Sequence, residues 1–309
     1  MAEVELQQIG AYTITGLLHE SSTSNFYLGK NRKKNVLIQR INIPFANAED
    51  KKAFLARTKQ LKKLKDRTIV PILEANFDGD TAYLVIEQPT GKPLQQIVTP
   101  GVCLSSDVVR RYISPIASAL HYAHMNHVIH GNLHPGAILQ TERLEMLLTG
   151  FALTPPGFTP SLDNEAAAIP YMAPEHLQGQ PTTASDQYAL AVMTYEWLCG
   201  RRPYEATERE QLLAQQQQAD FPKPSSLNKN ISALVEQVLL QALALDPEQR
   251  FPHTQALANA YLSALMGLPV KTPEIRSSAR PTVPTTPTLR RSEPLHQCQR
   301  QYLLSLHAP

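Results

Sequence analysis

Over residues 1–88, short runs of apolar or alternating character predict strands. They are TITGLL (13–18), NFYLGK (25–30), VLIQRINI (36–43) and TAYLVIE (81–87), all rich in β-branched and aromatic residues. One helix interrupts them, over about 48–64. Phe54, Leu61 and Leu64 recur at helical spacing on one face, and Lys51, Lys52, Lys59, Lys62 and Lys63 fall mostly elsewhere. From about residue 93 the period becomes helical. Ser105-Ser106-Asp107 offers an N-cap before VVRRYISPIASALHYAHMN, with Pro115 counting against an unbroken helix. ASDQYALAVMTYEWLCG follows, capped by Ser185 or Asp186 and closed by Gly200, and two further helices fit 231–244 and 254–266. A small strand-rich part (1–88) ahead of a larger helical part (89–267) predicts an α+β chain of two lobes.

After Gly267 the character changes. Residues 268–309 hold seven prolines and six Arg/Lys against two Glu, so they carry +4 of a net +2 and leave −2 on residues 1–267. Such a segment cannot bury a core and reads as a flexible, basic, Pro/Thr-rich tail, in which QCQRQYLLSL (297–306) could form a helix on contact. In the 309 residues glycine is scarce (13) and proline abundant (25), which excludes collagen-like and glycine-linker chains. A hydrophobic content of 42% is ample for a core, and the near-neutral charge does not favour a nucleic-acid partner. The cysteines Cys103, Cys199 and Cys298 are odd in number with no CxxC, so neither a disulfide framework nor a structural zinc is supported. The absence of a long apolar run and of a signal-peptide pattern leads to the expectation of a cytoplasmic protein without a membrane span.

The most informative stretch is HVIHGNLHPGAIL (127–139). It is followed by TGFA (149–152), YMAPE (171–175), SDQYALAVMTYEWLCGRRPY (185–204) and LDPEQR (245–250). In this order, over about residues 10–265, they resemble the HRDLKPxNIL, DFG, APE and later motifs of the bacterial Hanks-type Ser/Thr protein kinases. The resemblance implies a bilobal protein kinase-like fold: a small antiparallel β-sheet lobe with one helix (1–88), a large mostly helical lobe (89–267), and the tail (268–309).

The same alignment implies that the chemical positions are replaced. The three glycines of the phosphate loop fall on His19, Ser21 and Ser24. The strand lysine falls on Gln39 within VLIQ, and its helix glutamate on Arg57, so a salt bridge becomes a cation opposite an amide. The base of HRD is Asn132, whose amide cannot take a proton near neutral pH. The loop lysine is His134, and the two magnesium-binding positions are Ala137 and Gly150. Phe26 and Leu37 stand where smaller residues would flank an adenine, and with Ile86 and Leu139 they imply an occluded pocket, hence no cofactor and no metal. Residues the resemblance makes structural are retained. Leu61, His130 and Phe151 match the stack between the lobes, Asp186 the anchor of the catalytic loop, and Glu175 and Arg250 the buried ion pair of the large lobe.

Two other readings of these residues compete. The histidines at three-residue spacing (His121, His124, His127, His130) suggest a metal site, but His130 already has a core role in the resemblance. Thr154, Thr159 and Ser161, with Thr272, Thr286 and Thr288 of the tail, are candidate phosphoacceptors. The expectation is a pseudokinase and not an enzyme, binding a protein partner that is an active kinase or its substrate, as scaffold or allosteric regulator. The alternatives are an atypical ATP-dependent phosphotransferase with a rearranged site, and a phosphopeptide-binding domain using Arg57 or the helix lysines.

Overall fold

Six of the nine residues from Tyr12 to Glu20 are aromatic, aliphatic or β-branched, and they form the first long strand of the small lobe. The computed structural model describes residues 8–20, 24–32, 34–43, 45, 47–153 and 167–269. Almost all of the tail, Ser21, and the six candidate phosphoacceptors therefore lie outside the described residues. Six antiparallel strands make the sheet: β1 (Gln8–Ile9), β2 (Tyr12–Glu20), β3 (Ser24–Asn31), β4 (Lys34–Ile41), β5 (Ile72–Asp78) and β6 (Thr81–Glu87). Their order is β1-β2-β3-β4-β6-β5.

The period of two gives this sheet two apolar faces. Ile9, Tyr12, Ile14, Val36, Ile38, Tyr83 and Val85 form a core on one side. Leu84 and Ile86, with Leu37 packed against them, join the larger core on the other. Sequence patterning missed β5, because ILEANFD, although it alternates from Leu73 to Asp78, holds one β-branched residue against three strongly polar ones and is mostly half-buried.

The small-lobe helix α1 (Ala48–Leu61) is capped by Asn47, whose side chain accepts from the Asp50 N–H at 2.8 Å. Phe54, Thr58 and Leu61 line its buried face. Phe54 meets Phe45 and Phe77 edge-on at 5.3 and 5.7 Å, which seats the helix on β5. The helix ends three residues before Leu64, where Lys63 and Leu64 close a tighter turn onto Gln60 and Leu61.

The large lobe is built on α2 (Leu94–Ile97), α3 (Ser106–Met125), α4 (Pro174–Leu177), α5 (Thr183–Cys199), α6 (Arg209–Gln218), α7 (Pro224–Leu227), α8 (Ala233–Ala242) and α9 (Thr254–Leu265). Pro115 does not interrupt α3; burial of Ile113, Ile116, Ala117 and Leu120 around it offsets the lost backbone bond. Helix α5 is buried on nearly all sides and is the axis of the lobe. Its cap is Thr182, one turn earlier than the sequence suggested. Ser185 instead accepts from the Thr182 N–H at 2.9 Å. Gly200 ends the helix in the left-handed region (φ 74°), and a Cβ there would meet Gly101 O at 2.8 Å.

A second, three-stranded sheet of β7 (Lys92–Pro93), β8 (Ile138–Gln140) and β9 (Met146–Leu148) sits at the lobe junction. These strands are too short for any periodicity to announce. They matter because the loop ending at Ala137 enters β8, and the segment starting at Thr149 leaves β9. The chain after α1 is tied to the same hairpin, with Leu148 N–H to Thr68 O at 2.7 Å and Val70 N–H to Leu148 O at 2.9 Å.

At the far end of the large lobe Arg250, 2% exposed, uses all five guanidinium donors. Nη1 and Nη2 grip Glu175 at 2.7 and 2.9 Å, and the remaining bonds go to the carbonyls of Ala184, Ala244 and Leu245. Its guanidinium also lies 4.8 Å over the Tyr188 ring. Arg250→Met should therefore cost about 3–5 kcal/mol in urea unfolding, since it strands a carboxylate and three carbonyls. The double variant with Glu175→Met should recover a large part of that loss.

Candidate functional site between the lobes

Asp186, near the N-terminus of α5, is buried and accepts three hydrogen bonds. They come from the backbone N–H groups of His130 (2.8 Å) and Gly131 (2.9 Å) and from His124 Nε2 (2.7 Å). Burial pushes its carboxyl pKa up, but the His124 hydrogen bond and charge, with the Gly131 N–H, hold it below the usual value. The 130–131 backbone is thereby fixed from its N–H side. Gly131 takes φ 70°, a left-handed conformation, and a Cβ there would lie 3.1 Å from that of Ala152.

His130 is fully buried. Its Nδ1 accepts from the Asn132 N–H at 3.2 Å, so the proton sits on Nε2, which donates to Thr149 O at 2.9 Å. Desolvation lowers its pKa to about 4. The ring stacks on Phe151 with centroids 4.4 Å apart, and Leu61 is buried in the same core.

The loop and the 149–152 segment are joined by further bonds. Asn132 Nδ2 donates to Gly150 O at 3.0 Å, Ala152 N–H to His130 O at 2.8 Å, and Thr149 N–H to Ala137 O at 2.9 Å. Gly150 is also left-handed (φ 73°), and a Cβ there would lie 3.5 Å from that of Ala137. His134 caps the short helical turn Pro135–Ala137, its Nδ1 accepting from the Gly136 N–H at 3.2 Å. Burial lowers the His134 pKa to about 4, and neutral His134 carries its proton on Nε2. It therefore presents a donor and not a base.

The structure brings Asn132, Ala137 and Gly150 together, and the donor set tests whether a magnesium ion fits there. Ala137 and Gly150 offer no side-chain oxygen, and Asn132 offers one amide oxygen, whereas Mg²⁺ is held through carboxylates in near-octahedral geometry. These residues do not fit that ion. Asn132 Oδ1 is buried and has no hydrogen-bond partner among the described residues.

Arg57 is not opposite Gln39. From α1 its Nε donates to Ala152 O at 3.1 Å and its Nη2 to Ile129 O at 2.5 Å. Burial pulls the Arg57 pKa down and the charge of Asp186 pulls it back up. The cation expected to face an amide directs its donors instead to backbone carbonyls of the large lobe.

Gln39 is buried on β4, directly across from Phe26 of β3 and Leu84 of β6. Leu37 pairs with Ile86 on the same face, and both pack into the inter-lobe core. Phe26 is half-buried, Ser24 is buried, and His19 is exposed. Leu139 is buried on β8, in the other sheet. The four histidines do not converge. His124 turns to Asp186, while the His121 ring lies against His253 at 4.6 Å. Sequence reasoning left out Ile129 and Thr149, because their contribution is a backbone carbonyl that no side-chain signal marks.

The family model described as "Protein kinase domain" matches residues 12–262. Among curated proteins, Serine/threonine-protein kinase Pkn1 of Myxococcus xanthus is 31% identical over 242 residues, 75% of this chain and 34% of the relative. Serine/threonine-protein kinase PrkC of Bacillus subtilis (strain 168) is 25% identical over 249 residues, 78% and 38% respectively. The chain thus spans little more than a third of those proteins. A solved structure, Rad53 1-466 in complex with AMP-PNP, superposes with a TM-score of 0.64 at 21% identity, over 81% of this chain and 64% of that one, and shows the shared fold.

These matches overturn the expectation that the chain is not an enzyme. The protein kinase model spans most of it, and the two curated relatives matching three quarters of its length are named serine/threonine-protein kinases, which points to a kinase. The replaced positions say which side chains stand in the cleft and do not by themselves establish loss of activity.

Two outcomes follow from this geometry. With His130 near pKa 4 in the folded chain and about 6.5 unfolded, the unfolded state binds more protons between those values. Stability is therefore full above pH 6.5 and falls as pH drops towards 4, by up to about 1.4 kcal/mol per pH unit for this group. Tm measured across that range should show the slope, and His130→Phe, which keeps a ring on Phe151, should reduce it, leaving the part that His134 contributes in the same range. Asn132→Asp should lower stability by about 1–3 kcal/mol at pH 7, because a carboxylate cannot donate to Gly150 O. The deficit should shrink on acidification as the carboxyl protonates.

Proposed function

Because the chain belongs to the protein kinase domain family, we propose that it acts in Ser/Thr kinase signalling as a protein-binding scaffold or allosteric regulator of a kinase or of its substrate. One observation carries this reading: the side chains at the centre of the cleft are committed to the chain's own backbone. Asn132 holds Gly150, His134 caps its own turn, and Arg57 holds Ile129 and Ala152. A cleft organised by internal bonds presents a fixed shape to a partner. Around it, α1 offers Lys52 and Lys59 on exposed positions, continued by Lys62 and Lys63 just past its end, a surface suited to an acidic or phosphorylated protein segment. No described helix is long and apolar enough to cross a membrane.

A second reading, an atypical ATP-dependent phosphotransferase with a rearranged site, is favoured by Asn132 Oδ1. This acceptor has no partner among the described residues, and a rearrangement that exposed it would let it take a substrate hydroxyl. One experiment addresses both. The full chain is mixed at stoichiometric amounts with each purified Ser/Thr kinase of its own organism, and binding and phosphorylation rates are measured with labelled ATP. The regulator reading expects at least one kinase to bind and to change its rate several-fold; no binding and no rate change across the set overturns it. Label transferred by this chain alone, and reduced at least ~10-fold in Asn132→Ala, would establish the second reading instead.

A further inference from the structure

The stretch Ile129–Gly131 is gripped from two sides by opposite charges on different lobes. Asp186, on α5 of the large lobe, takes the N–H groups of His130 and Gly131 at 2.8 and 2.9 Å. Arg57, on α1 of the small lobe, takes Ile129 O at 2.5 Å and reaches Ala152 O at 3.1 Å. Ala152 in turn donates to His130 O at 2.8 Å, so Arg57 spans two strands of chain that already hold each other. We propose that Arg57 is a latch that holds α1 against the large lobe without any ligand in the cleft.

The physics favours a latch over a packing filler. The apolar face of α1, formed by Phe54 and Leu61, is non-directional and tolerates rotation of the helix. The guanidinium fork is directional, with two donors on two separate carbonyls that define one helix rotation. A guanidinium keeps its charge in the folded chain, so breaking both bonds would leave a partly buried cation without acceptors. The exposed lysines Lys52 and Lys59 lie on the same helix, and Lys63 follows just past its end. A partner binding there would act directly on the latch.

Hydrogen exchange of the α1 amides tests this in the full chain. In the wild type, exchange over Ala48–Leu61 should be slow and unchanged by saturating ATP, with or without Mg²⁺. Arg57→Gln should speed exchange in α1 and in 129–132 and 150–152 at least ~10-fold, while α3 and α9 stay protected. Arg57→Lys, which keeps charge and stem but not the fork, should give an intermediate rate. Equal α1 exchange in wild type and Arg57→Gln overturns the latch, as does acceleration spread evenly through α3 and α9. Slowing of wild-type α1 exchange by ATP overturns its independence of ligand. Where Arg57→Gln does not fold, Arg57→Lys decides alone: unchanged α1 exchange overturns the proposal.

Discussion

The carboxylate of Asp186 is the group on which the centre of this molecule depends. It is nearly inaccessible to water, and a charge so placed persists only where several donors converge on it. Two of those donors are consecutive backbone N–H groups, so satisfying the charge also fixes the peptide path through His130 and Gly131. The rest follows from that path. The His130 ring comes to lie between Thr149 O and the Asn132 N–H, the Phe151 ring stacks on it, and the Ile129 carbonyl turns towards α1. Glycine at 131 lets the backbone take the left-handed turn that delivers both N–H groups to one carboxylate.

The same solution recurs at the other end of the large lobe. Arg250 and Glu175 are buried together, and the arginine's remaining donors close three carbonyls on two chain segments. In both places an ionised side chain acts as a junction for backbone groups that no regular element satisfies. Helix α5 joins the two junctions. Asp186 lies in its first turn, and Ser185 beside it donates to Glu175 at 2.7 Å. Apolar packing around α5 supplies most of the burial, while these charges set which loops meet there.

Between the lobes the cleft is filled by a consistent economy of polar groups. Asn132, His134 and Arg57 each end on a backbone atom of this chain, and Asn132 Oδ1 alone among the side-chain atoms of these three is buried without a partner. The chain belongs to the protein kinase domain family. A helix that is held by the loop peptide, with lysines on its outer face, couples the surface of the small lobe to the centre of the large one.

How much of this was legible beforehand depends on what kind of signal each feature leaves. Helix α1, the strands β2, β3, β4 and β6, and the long helices follow from period and caps, because burial of one face imposes a repeat on the sequence. The ordered motifs from HVIHGNLHPGAIL to LDPEQR carried the fold, and with it the positions of His130, Phe151, Glu175, Asp186 and Arg250. β5, the sheet of β7, β8 and β9 and the cap at Thr182 left little trace, being half-polar, very short, or shifted by a turn. The direction of Arg57 left none. Its sequence position marked an inward-facing residue, yet a side chain of that length can end on either lobe. The choice was made by carbonyls of Ile129 and Ala152, 72 and 95 residues away in the chain. Period, caps and motifs are local properties and are written in the sequence; the partner of a long buried cation is a long-range one, decided only when both lobes have packed.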